Sequence, residues 1–152
     1  MTMNEAGFNL IKRFEGFRAS RYLCPAGKPT IGYGHVILPG EHFDAQITEG
    51  YADMLLRNDV RIIENLVLTM IGGANYRQLS ALVCFAYNVG TANLFNSTLL
   101  RLFNAGDAAG AAHQFLRWTK VTDPSTGEKK ELPGLVARRQ AEKELFEKET
   151  WT

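Results

Sequence analysis

"FEGFRASRYLCPAGKPTIGYGH", Phe14 to His35, contains a single carboxylate, Glu15, followed by Arg18, Arg21 and Lys28. It is also where the chain changes its pattern. At 100° per residue, Phe8, Leu10, Ile11 and Phe14 fill one arc of a helix that ends near Glu15, with Asn9, Lys12 and Arg13 on the other. Gly16 is a natural stop. Beyond it come Pro25, Gly27 and Pro29, and then Ile31, Tyr33 and His35 alternating with small residues, so Tyr22–Phe43 reads as two or three short strands joined by turns. The β-rich segment as a whole spans about residues 18–47.

From there the sequence reads as helical to its end. Thr48 caps a long helix through "EGYADMLLRNDVRIIENLV", a rod leading away from the strands. "NYRQLSALVCFAYNVG" is apolar on nearly every face and is expected to be the central buried helix. Asn96 or Ser97 caps "TLLRLFNAG", Asp107 opens "AAGAAHQFLRW", and "PGLVARRQAEKELFEK" closes the chain. The intervening "TDPSTGEKKELPG" reads as a polar loop. No repeat or linker divides the chain, so residues 1–152 are expected to form one domain of α+β class, a small β lobe on a mostly helical body with a ligand cleft between the lobes.

Composition narrows the function classes. With 152 residues and 45% hydrophobic content, the chain can bury a core without staples. Seventeen basic residues against sixteen acidic ones give no general attraction to nucleic acid or anionic membrane. Cys84 lies in an apolar run, which favours free thiols over a Cys24–Cys84 bridge. Asn4 and Glu5 stand where a secretory leader would be basic, and no segment has the length and apolarity of a membrane span, so a soluble chain made in the cytoplasm is expected. Three scattered histidines give no metal-ligand spacing, and "GYGH" lacks the Gly-Lys-Ser/Thr of a phosphate loop. No metal or cofactor is expected.

Glu15 falls inside the apolar arc, between Ile11 and Phe8, and in the last helical turn, where the helix dipole disfavours a negative charge. Both effects favour the protonated form, which a general acid needs. The structural alternative is an ion pair with Arg18, Arg21 or one of the C-terminal arginines, Arg138 and Arg139.

The spacing Glu15, eight residues, Cys24, five residues, Thr30, with "IGYGH" directly after, resembles the signature of the phage lysozymes of glycoside hydrolase family 24, the T-even type endolysins. "ALVCFAYNVG" with "FNSTLLRLFNAG" is similar to that family's central helix and the segment after it. "LPGLVARRQAEKELF" is similar to its closing motif, and the likeness covers about residues 5–147. The resemblance implies a lysozyme-like fold and a muramidase that opens the β-1,4 bond between N-acetylmuramic acid and N-acetylglucosamine, acting on periplasmic peptidoglycan after release, as a monomer. It implies Glu15 as general acid, Cys24 acting from the opposite face of the sugar in place of the commoner Asp, and Thr30 holding the attacking water. A thiol near its ordinary pKa matches a carboxylate only if its surroundings form the thiolate, and Arg18, Arg21 and Lys28 lie close in sequence. By the same likeness, Tyr33, His35, Phe95, Ser97 and Thr98 are candidates to line the saccharide groove, and Arg138 or Arg139 to face Glu15 or the substrate. For His35, a structural hydrogen-bonding role competes with proton transfer, for Tyr33, Phe95, Ser97 and Thr98 ordinary packing and helix capping compete, and for Arg138 and Arg139 a solvated charged face competes. Two other activities fit the residues: a lytic transglycosylase, which needs only the acid, and a peptidoglycan-binding module without catalysis.

Overall fold

The computed structural model describes residues 2–148, and within them the chain alternates between two kinds of packing. Helix α1, Glu5–Glu15, is started by Asn4, whose side chain accepts the Gly7 amide at 3.1 Å, and is stopped by Gly16 at φ 72°, a conformation that costs glycine little. Its Phe8 and Ile11 are buried as the apolar arc requires. Strand β1, Arg18–Leu23, pairs antiparallel with β2, Pro29–Gly32, which pairs in turn with β3, His35–Val36. The sheet is therefore smaller than the sequence suggests: it begins four residues before Tyr22 and ends at Val36, and residues 37–47 run irregularly back across β1, where the Ile47 amide donates to the Ala19 carbonyl.

Thr48 accepts the Tyr51 amide and opens α2, Glu49–Met70, 22 residues long. A capping box of Asn75 and Gln78 starts α3, Tyr76–Val89, in which every residue from Leu79 to Ala86 is buried. This is the central helix the sequence predicts. It lies against α1, α2 and α7, and Phe85 meets Phe115 and Trp118 edge-on at centroid distances of 5.4 and 5.3 Å.

Three short helices follow: α4, Thr91–Phe95; α5, Thr98–Asn104, capped by Ser97; and α6, Ala108–Gln114, capped by Asp107. The first of these is not apparent in the sequence pattern. After a 3-10 turn at Phe115–Arg117 the expected polar loop is instead framed by a hairpin, β4, Lys120–Thr122, paired with β5, Lys129–Glu131. All six strand residues are exposed, so no alternation of buried and exposed positions marks it. Helix α7, Pro133–Glu147, begins with proline in its first turn and packs on α3. No helix among the described residues is long and apolar enough to cross a membrane.

Candidate active site

A cleft of about 970 Å³ lies between the first sheet and the helical body. The end of α1 brings Glu15 to it, the β1–β2 turn brings Cys24, Pro25 and Ala26, and β2 brings Thr30. The far wall is Tyr87, Asn88 and Val89 at the C-terminal end of α3, with Trp118 and the β4–β5 hairpin. The three residues of the spaced signature thus meet in one cavity, although Glu15 and Thr30 come from different elements.

Glu15 has a cationic partner. Arg138 on α7 donates from Nη1 to its Oε1 at 3.0 Å, which selects one of the arginines the sequence left open. The other oxygen faces Gly34. A Cβ at Gly34 would sit 2.9 Å from Glu15 Oε2, and its φ of 84° is one that side chains rarely adopt, so two constraints demand glycine in the β2–β3 turn.

Cys24 is a free, partly exposed thiol. Its pKa is drawn below the usual thiol value, first by the Lys28 amide and then by the Ala26 amide, the Thr30 hydroxyl and the Lys28 charge, against some desolvation. Thr30 is buried, and its hydroxyl donates to the Lys28 carbonyl at 2.9 Å. That hydroxyl has one proton, so it serves either the carbonyl or the Cys24 sulfur, and its lone pairs are left to accept from a water. Cys84, by contrast, donates to the Gly7 carbonyl, is wholly buried, and has its pKa pushed far up by desolvation.

The other predicted residues are dispersed. Tyr33 is buried in the core with its ring against Phe17 at 5.7 Å, and its carbonyl accepts the Tyr87 hydroxyl at 2.7 Å, so its ring serves packing and does not line the cleft. His35 is buried between Asp59 and Glu41, at 2.7 and 2.9 Å from its two ring nitrogens. Asp59 foremost, with help from Glu41, raises its pKa to about 8. Exposed Phe95 and Thr98 and buried Ser97 line a separate depression of about 330 Å³, where Ser97 serves as helix cap. Arg139 is 1% exposed, bonded to the Trp118 carbonyl, Glu142 and Asn88, and closes the cleft from behind.

Sequence reasoning missed Tyr22, Tyr87, Asn88, Trp118 and the hairpin as cleft residues. A usable signal existed for two of them: Tyr87 and Asn88 are polar groups ending a helix whose preceding eight residues are all buried. Among the described residues no three His, Cys, Asp or Glu side chains are grouped to hold a metal ion.

A two-lobed α+β fold with a carboxylate, a thiol and a threonine facing one cleft is that of a lysozyme-like protein. A sequence model of the Phage lysozyme family matches residues 12–142, and the chain belongs to that family. It is 39% identical over 148 residues to an endolysin of Acyrthosiphon pisum secondary endosymbiont phage 1, covering 97% of this chain and 99% of that protein. It is 43% identical over 149 residues to an endolysin of Bacillus phage B103, of which it spans 54%. Among solved structures, the muramidase domain of SpmX from Asticaccaulis excentricus superposes with a TM-score of 0.88 at 34% identity, covering 97% of this chain and 99% of that one. A single-site mutant of P22 lysozyme superposes with a TM-score of 0.80 at 30% identity, covering 96% of this chain and 98% of that one.

Proposed function

We propose that this peptidoglycan-degrading lysozyme hydrolyses the β-1,4 bond between N-acetylmuramic acid and N-acetylglucosamine with Glu15 as general acid. The observation that carries the reading is the convergence of Glu15, Cys24 and Thr30 on one cleft of saccharide size. Glu15 gives its proton to the glycosidic oxygen from Oε2, since Oε1 is held by Arg138 and the missing side chain of Gly34 leaves room on the Oε2 side. As the proton leaves, the Arg138 guanidinium stabilises the carboxylate that forms, so the pair favours the transition state over the ground state.

On the other side of the bond, the Cys24 sulfur supplies negative charge to the oxocarbenium-like transition state, helped by the amides that draw its pKa down. Thr30 accepts a hydrogen bond from water, holding it for attack at the anomeric carbon. In this reading the chain acts as a monomer, without a cofactor, on the periplasmic wall after release from the host cytoplasm.

Mass spectrometry of digested murein tests the reaction: reducing muramic ends are expected, and 1,6-anhydro ends would establish a transglycosylase instead. For Cys24, the Cys24→Asp variant is expected to keep appreciable murein hydrolysis and Cys24→Ser to lose about tenfold or more, because a serine hydroxyl hardly ionises near neutral pH. A fully active Cys24→Ser enzyme would remove the sulfur from the mechanism.

A further inference from the structure

Glu142 is the most deeply buried carboxylate among the described residues, at 0% exposure on α7 beneath the two arginines. Its Oε1 accepts from Arg139 Nη1 at 2.7 Å, and its Oε2 lies 3.5 Å from Arg138 Nε, too far for a good hydrogen bond but close enough for a strong charge interaction. Each arginine then reaches the cleft through a different group. Arg138 donates to Glu15, and Arg139 donates through Nη2 to the Asn88 carboxamide oxygen and through Nε to the Trp118 carbonyl at 2.9 Å. Glu15, Asn88 and Trp118 all line the cleft.

We propose that Glu142 is a positioning residue for the reaction. This one buried carboxylate holds both guanidiniums in place, so that one meets the catalytic acid and the other fixes Asn88 with its amide nitrogen free to donate into the cleft. The helix spacing makes this possible, since positions three and four residues apart lie on one face, and Arg138, Arg139 and Glu142 have that relation. Burial pushes the Glu142 carboxyl up, and the two guanidiniums oppose that push. Three charged groups thus share one desolvated pocket, and moving any one of them moves the others' balance. The inference rests on Glu15 being the general acid.

The test is the pH dependence of turnover on murein for the wild type, Glu142→Gln and Glu142→Asp, with Glu15→Gln in the same assay. The titratable or charged groups facing Glu15 are Arg138 from α7, Tyr22 from β1 and Tyr87 from α3. Glu142 faces Cys84 of α3 besides its two arginines. Tyr22, Tyr87 and Cys84 all have their pKa pushed up and remain neutral through the active range, whereas Cys24 across the cleft, with its pKa drawn below the usual thiol value, titrates as well. The Glu142 variants are therefore also measured in the Cys24→Asp background, where a limb that still moves belongs to Glu15.

Glu142→Gln removes a negative charge and leaves Arg138 to Glu15 alone. Turnover is expected to fall about tenfold with KM changed less than about twofold, and the alkaline limb of the profile to move to lower pH by about half a unit. Glu142→Asp keeps the charge on a shorter arm, so its limb should stay in place while turnover is reduced. A folded Glu142→Gln with wild-type turnover and an unmoved limb overturns the proposal, as does a loss of thermal stability alone. Should Glu142→Gln fail to fold, Glu142→Asp decides: lowered turnover at unchanged KM supports the role, and wild-type turnover refutes it. An active Glu15→Gln would instead refute the general-acid reading, a different outcome from an inactive Glu15→Gln beside an unaffected Glu142→Gln.

Discussion

The charged cluster beneath Glu15 and the one around His35 both join elements far apart in sequence, and they differ in what is left unpaired. Around His35 both ring nitrogens have carboxylate partners, one on α2 and one in the loop after β3, so the imidazolium is fully used in bracing the small lobe against the long helix. Beneath Glu15, Arg138 Nε and Nη2 and Glu142 Oε2 are buried without hydrogen-bond partners. The His35 cluster is spent on bracing, whereas the second cluster keeps a guanidinium on Glu15, the carboxyl where charge develops as a proton leaves.

The sharpest way to break this contrast is Glu15→Gln. The amide keeps the shape but has no proton to give, so murein hydrolysis should fall by about 10²- to 10⁴-fold while circular dichroism is unchanged. Near-normal hydrolysis would make the Glu15 cluster merely structural. Next in size is Arg139→Met, which leaves Glu142 with a single, long ion pair. Denaturant unfolding should show a loss of about 3–5 kcal/mol, since an uncompensated buried charge is costly.

The His35 cluster should respond to pH rather than to substrate. Its folded pKa of about 8 lies above the ordinary value of 6.5, so its contribution to stability is complete below pH 6.5 and is lost as pH rises through 8. About 2 kcal/mol is expected to disappear across that window, and His35→Asn should flatten it. Equal pH dependence in wild type and variant would remove the histidine from the account. Smallest is Gly34→Ala, at about 1–2 kcal/mol of backbone strain. Because the new methyl presses on Glu15 Oε2, turnover should fall with it, and a stability loss without an activity loss would show that the close approach is incidental.

Much of this was legible in the sequence wherever burial writes a period. The arc of α1, the caps Thr48, Ser97 and Asp107, and the unbroken apolar run of α3 all follow from what each residue type does to a helix. The first sheet is readable because its turns demand Gly27 and Gly34 at positive φ, and Gly32 takes the same region where β2 ends. Site geometry was less legible. The resemblance to phage lysozymes picks out Glu15, Cys24 and Thr30, but Arg138 is 123 residues from Glu15, and only three-dimensional packing chooses it over Arg18, Arg21 or Arg139. That Tyr33, Phe95, Ser97 and Thr98 lie away from the walls around Glu15 was illegible for a similar reason. An aromatic or hydroxyl near a motif carries no mark of which way its backbone turns it.

The β4–β5 hairpin forms part of one wall of the cleft, yet every residue of its two strands is exposed. Substitutions at such positions usually change stability by less than about 0.5 kcal/mol. Lys120, Val121, Thr122 and Lys130 can therefore be exchanged almost independently of the core, while each exchange alters what the cleft touches. Here an evolving chain can try new wall chemistries at little risk to its folding, whereas the opposite wall, with Thr30 buried and Gly34 fixed by its φ, has to stay as it is.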